Sequence, residues 1–169
     1  MAAKHNPSGA IRRGFLLGMS LLASACQPTT ARPYFPPVTG AAQAEIKLEP
    51  KTAAAALADV LSSDSLPLSK VEVGDGYLET DWFRATTRRV AHGRRLGADV
   101  VQIRAWVDPT RSGYSRLTVE TVYRPLADAS LSPRDLDRQV PPDHPVGKRV
   151  TEIVTELAKL YAPETAPAN

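Results

Sequence analysis

Four stretches in the middle of the chain alternate apolar with polar side chains, the period of a strand with one face turned inward. Leu68 to Val73 sets Leu68, Lys70 and Glu72 against Ser69, Val71 and Val73. Tyr77 to Phe83 sets Leu78, Thr80 and Trp82 against Glu79, Asp81 and Phe83. Asp75-Gly76 between these runs predicts a hairpin. The third run, Ala98 to Val107, places Val101, Ile103, Ala105 and Val107 on one face and Gln102, Arg104 and Trp106 on the other. Asp108-Pro109 and Ser112-Gly113 turn the chain into the fourth, Tyr114 to Arg124, where Leu117, Val119, Thr121 and Tyr123 alternate with Arg116, Thr118, Glu120 and Arg124. The polar set predicts a sheet with one wet face. Trp82 is expected on the inner face, its indole N–H seeking a carbonyl.

Two segments have the helical period instead. Thr52 to Ser62 brings Ala53, Ala54, Leu57, Val60 and Leu61 to one side, and Val146 to Tyr161 carries a continuous stripe of Val146, Val150, Ile153, Val154, Leu157, Leu160 and Tyr161. A polar stretch from Pro125 to Pro145 separates sheet and second helix, with room for one helical turn at Ser132-Pro133-Arg134-Asp135. A sheet with one apolar face needs a cover, and two singly striped helices supply it. The expected fold is α+β, a two-layer sandwich of a four-stranded antiparallel meander covered by an N-terminal and a C-terminal helix. It occupies residues 45–162 as a single domain, and 163–169 form a disordered tail.

The N-terminal quarter has neither period. Lys4, Arg12 and Arg13 precede an apolar run from Phe15 to Ala25, which ends in small residues and the only cysteine, Cys26. This is the layout of an export signal over residues 1–25, too short to be a permanent membrane span. The chain as a whole carries +3. All three excess charges lie upstream of Cys26, so the remainder is balanced and no nucleic-acid partner is expected. Residues 26–44, with four prolines, read as an extended tether, some tens of ångströms long at roughly 3 Å per residue. The other reading of the same residues packs Tyr34-Phe35 onto the domain.

Leu22-Ala23-Ser24-Ala25-Cys26 resembles a bacterial lipoprotein processing site, which implies cleavage before Cys26 and a lipid on its sulfur. Gln27, which is not Asp, implies by the same resemblance delivery to the outer membrane. Arg12-Arg13 fits either a twin-arginine signal or an ordinary basic leader. Leu66-Pro67-Leu68-Ser69-Lys70-Val71 through Leu78-Glu79-Thr80-Asp81-Trp82-Phe83 resembles the repeated domain of the BamC lipoprotein family, accessory components of the outer-membrane β-barrel assembly machinery. The resemblance implies a helix-grip fold, a lipid anchor facing the periplasm and a protein partner in an envelope complex. This chain has one such domain where the family has two.

No phosphate loop, nucleophile elbow or metal-ligand spacing is present. His92 and His144 are far apart in loop-like segments. The sequence therefore predicts neither an enzyme nor a cofactor. Two features remain as contact candidates. Thr86 to Gly97 is a basic loop, and with Arg84 its arginines Arg88, Arg89, Arg94 and Arg95 either meet an anionic surface or acidic partner, or are solvated and balanced by Glu72, Asp75, Glu79 and Asp81. Trp106, on the expected wet face, is either a contact point or a ring stacked by Arg104 or Arg116. A small ligand-binding module, gripping an apolar molecule between helix and sheet, is the alternative to the accessory role.

Overall fold

The computed structural model describes residues 30–93 and 95–162. Its class is α+β: among the described residues, seven strands form one open antiparallel sheet and three segments are helical. The strands are β1 (Ala42–Ile46), β2 (Leu68–Glu72), β3 (Tyr77–Thr80), β4 (Phe83–Arg84), β5 (Val100–Arg111), β6 (Tyr114–Tyr123) and β7 (Arg138–Gln139). Helices α1 (Pro50–Ser63), α2 (Pro133–Leu136) and α3 (Pro145–Leu160) complete the order. The main path across the sheet is β1-β6-β5-β3-β2, with β4 added to β5 and β7 to β6.

The odd-numbered positions of β5 and β6 form the core with α1 and α3. Val101, Ile103, Ala105 and Val107 meet Leu117 and Val119 and the buried stripes Ala53, Ala54, Leu57, Leu61 and Val150, Ile153, Val154, Leu157. Both helices start with proline at the first turn, where no intrahelical N–H is needed. The β5–β6 register pairs Val107 with Leu117 and Ala105 with Val119, so one phase of alternation serves both strands.

The sheet has seven strands where four were expected, the additions being β1, β4 and β7, the last a two-residue strand after α2 that pairs with β6. β1 was hidden in the presumed tether: Ala42, Ala44 and Ile46 alternate with Gln43 and Glu45, and the edge of β6 pairs with the whole segment. The run Tyr77 to Phe83 is broken, because Asp81 leaves the ladder to donate its N–H to the Pro67 carbonyl, and the chain resumes as β4. That break reverses the phase. Phe83 therefore enters the helix-side core and Trp82 does not; it packs with Ala91, Val100 and Val122 on the opposite face. β5 also runs through Asp108-Pro109 instead of turning there. Beyond Trp106 it pairs with β6 alone, so a proline N–H is not needed on its open side.

The presumed tether is packed from Thr30 onward. The Thr30 hydroxyl and the Ala31 N–H both donate to Asp75 Oδ2, at 3.0 and 2.7 Å, and Arg32 Nη2 reaches Asp108 Oδ1 at 2.6 Å. The Phe35 ring then lies 6.4 Å from Trp106, whereas Tyr34 is fully exposed. Residues 30–38 thus form a strap across the face expected to be wet, and the chain turns at Gly40 into β1.

Gly76 locks the β2–β3 turn against β5. It has φ +61°, its carbonyl accepts from Val107 N–H at 2.8 Å, and a Cβ would collide with the Val107 carbonyl oxygen. Gly113 also has positive φ, at +77°, but open space around it. Gly76→Ala is expected to cost about 3 kcal/mol and Gly113→Ala about 1 kcal/mol, because only the first adds a backbone clash to left-handed strain. Urea unfolding of the two variants side by side measures the difference.

Candidate functional site

The second face of the sheet is built around charge. Arg104 on β5 faces Glu120 on β6 directly across the ladder, and both side chains are almost wholly buried. Arg104 Nε lies 2.7 Å from Glu120 Oε1, with the N–H not aimed at that oxygen. Its Nη2 donates to Asp137 Oδ2 at 2.5 Å. Asp137 Oδ1 in turn accepts from Arg124 Nε at 2.7 Å, and Glu120 accepts from Arg134 Nη1 at 3.0 Å and from the Val38 N–H at 2.6 Å. Three guanidiniums face two carboxylates, leaving one positive charge in the cluster.

Local sequence explains how each member arrives. Ser132 caps α2, accepting from Asp135 N–H, and Pro133 opens its first turn, so this single turn presents Arg134 and then Asp137 to the sheet. β7 fixes the exit, pairing Gln139 with Val122. The strap closes the cluster from outside. Arg134 Nη2 donates to the Pro36 carbonyl at 2.6 Å, and the Phe35 ring lies 4.3 Å from the Arg134 guanidinium and 5.2 Å from that of Arg104. An aromatic face over desolvated guanidiniums is favourable by about 1–2 kcal/mol.

Beside the cluster lies a cleft of about 500 Å³ whose walls include Phe35, Glu79, Arg95, Arg124 and Arg134. Its polar floor is tied together: the Tyr77 hydroxyl donates to Glu79 Oε2 at 2.7 Å, and Gln102 Nε2 donates to Glu79 Oε1 at 2.7 Å and to the Thr80 carbonyl at 3.1 Å. Burial, then the hydrogen bond to Glu79 and its charge, push the Tyr77 hydroxyl far above the ordinary tyrosine range, so it serves as a donor and not as a nucleophile. At the mouth, Arg124 stacks on Trp82 with 4.5 Å between guanidinium and ring, and its two Nη atoms have no partner among the described residues. Arg95 next to it has none either, and the exposed Asp81 also lines the cleft. Rigidly held guanidinium donors at an open mouth can bind a carboxylate or phosphate.

The basic loop is divided by its pairing. Arg84 is 3.3 Å from Asp99, and Arg88 is 3.0 Å from Asp64 with a further short contact to the Asp64 carbonyl. Asp64 and Asp99 are the balancing acids, in place of Glu72, Asp75, Glu79 and Asp81, because β4 and the end of α1 converge on the loop. Arg89 and Arg95 are exposed, and neither side chain has a partner among the described residues. Arg94 and Cys26 lie outside the described residues. Trp106 is removed from the candidate contacts: it is 2 % exposed, wedged between Phe35 and Tyr77 with ring distances of 6.4 and 5.6 Å. The cluster was missed because Arg104, Glu120 and Arg124 read as solvent-facing. In the observed hairpin the register sets Arg104 opposite Glu120 and Asp108 opposite Arg116, a pairing hidden from the sequence reading by its placing of Asp108 in the turn.

Arg104→Met is expected to destabilise the domain by about 3 kcal/mol, since it removes the buried cation that Glu120 and Asp137 share and leaves each with one arginine. Adding Glu120→Gln and Asp137→Asn should recover part of that loss, as read by urea unfolding. For Tyr77, the raised folded-state value means that stability is whole below about pH 10 and falls as pH rises beyond it. Absorbance at 295 nm should show its ionisation only as the chain unfolds.

No protein-family model and no curated protein matches this chain.

Proposed function

We propose that the chain is a lipid-anchored, non-enzymatic accessory protein of a bacterial envelope, a single BamC-like domain of helix-grip type, facing the periplasm from the outer membrane. The observation that carries this reading is the placement of Cys26, directly after an export-type segment and four residues before Thr30, where the chain is already packed onto the sheet. A lipid on that sulfur would be joined to the domain almost without a spacer. The partner surface is the basic end: Arg89, Arg95 and the Nη atoms of Arg124, none of which has a side-chain partner among the described residues, and the exposed Leu126 and Leu131 close by in the chain. Guanidiniums beside exposed apolar side chains suit an acidic protein surface. The reading places this chain as a scaffold subunit of a complex, with outer-membrane β-barrel assembly as its specific version.

The second reading, a ligand-binding module, is favoured by the cleft beside Arg124, though not in its expected form. The gap between helices and sheet is filled by Leu57, Leu61, Leu78, Ile103 and Ile153, each at most 1 % exposed. A ligand would sit on the opposite face and be polar and anionic, not apolar.

Affinity purification of the chain from detergent-solubilised envelopes tests the proposal. A barrel-assembly component should co-purify, and Arg89→Glu with Arg95→Glu should reduce its recovery at least about tenfold, as expected for reversed charges at an interface. Recovery of no such component ends the specific version. Cys26→Ser should abolish incorporation of labelled palmitate and release the chain from the membrane fraction.

A further inference from the structure

The strap turns what reads as a long tether into a very short one. Of the residues after Cys26, only Gln27, Pro28 and Thr29 precede the packed chain, because Thr30 and Ala31 are held by Asp75, Arg32 by Asp108, and the Val38 N–H by Glu120. Whatever conformation those three residues take, covalent geometry limits the Cα of Thr30 to about 14 Å from the Cα of Cys26.

The place where the strap begins is one particular end of the domain. Asp75 sits in the β2–β3 turn, and Gly76 lies beside Val107. β5 continues from there to Arg111, so the β5–β6 turn at Ser112-Gly113 projects from the same end, with Glu49 at the head of α1 accepting from the Gly113 N–H. The basic loop occupies the other end: Phe83 pairs with Val101 at the start of β5, and Val90 bridges to Phe83. The twelve residues of β5 separate the two ends by on the order of 36 Å.

We infer that the end carrying Asp75 and Ser112 is apposed to the lipid headgroups of the leaflet that holds Cys26, while the basic loop is carried away from that leaflet. This rests on the lipid-anchor reading. The occupant of the near end is a bilayer surface, and the argument for it is chain length, not charge. Arg32, Lys47, Lys51, Arg111 and Arg116 at that end are matched by Glu45, Glu49, Glu72, Asp75 and Asp108, with Arg32 paired to Asp108 at 2.6 Å and Arg111 to Glu45 at 3.1 Å. An end with balanced charge has little electrostatic attraction of its own for anionic lipid. The far end is then free to meet a partner in solution or on a second surface, and its arginines do not read the headgroups of their own leaflet.

The test joins the full chain through Cys26, its only thiol, to a maleimide-headgroup lipid in phosphatidylcholine–phosphatidylglycerol vesicles, with a genetically encoded benzophenone in place of Ser112 or of Arg89. Both positions are exposed, so neither reporter disturbs the core. On irradiation, lipid adducts counted by mass spectrometry should be at least about threefold more abundant from position 112 than from 89, given a headgroup layer only several ångströms deep. Equal adducts at the two positions, or more from 89, overturn the inference. Inserting fifteen Gly/Ser residues between Thr29 and Thr30 should level the two yields. A bias that survives the insertion also overturns it, since something other than the short spacer would then hold the end down. Chemical coupling makes the result independent of cellular lipidation, which palmitate labelling judges separately.

Discussion

Arg104 is the constraint around which the second face is organised. A guanidinium buried in the middle of a sheet is tolerable only if its charge and donors are met on the spot, because an uncompensated buried ion costs several kcal/mol. Glu120 meets it from the neighbouring strand and Asp137 from the segment after α2. Each acid then recruits a further arginine, Arg134 and Arg124, and Glu120 also takes the Val38 N–H. One buried cation thereby fixes the position of three otherwise irregular pieces of chain: the strap, the turn of α2 and the short strand β7. Without it, the polar face would be open sheet.

The sheet therefore has two different covers. On one side α1 and α3 exclude water with aliphatic side chains, a contact that tolerates sliding and repacking. On the other, strap and α2 segment are held by directed bonds between named atoms, which tolerate little. The cleft survives on this second side because short irregular segments cannot close a surface as helices do. Its mouth is lined by Arg124, whose Nε is engaged in the cluster, and by Arg95, which is not, so one residue serves both the candidate site and the stability of the face.

What could be read in advance follows the strength of the period. α1, α3, the β2–β3 turn and the β5–β6 hairpin were all legible, since each repeats its pattern over several residues. β1 was not, because alanines carry a weak apolar signal beside a proline-rich run and the pairing came from β6. Trp82 was misplaced by a two-residue break in β3 that no side-chain pattern announces. The wet face was the larger error. Sequence marks Arg104 and Glu120 as polar, but whether polar groups face water or each other depends on a third segment, and Asp137 lies too far along the chain to enter a local pattern. The basic loop was visible as composition, while its pairing with Asp64 and Asp99 required the fold.

The strap and β1 also bear on the order in which the molecule can be completed. They are the first part of the described chain to be synthesised, yet apart from Asp75 their partners come late: β6 begins at Tyr114, and Arg134, which holds Pro36 and Phe35, lies about a hundred residues downstream. Closing loops of that length precedes any reward from the contacts they bring together. The segment nearest the N-terminus is thus obliged to wait for the C-terminal half before it can dock. A chain threaded through a pore or paused in synthesis before β6 would have β1 unpaired, and would complete the strap only when Arg134 arrived.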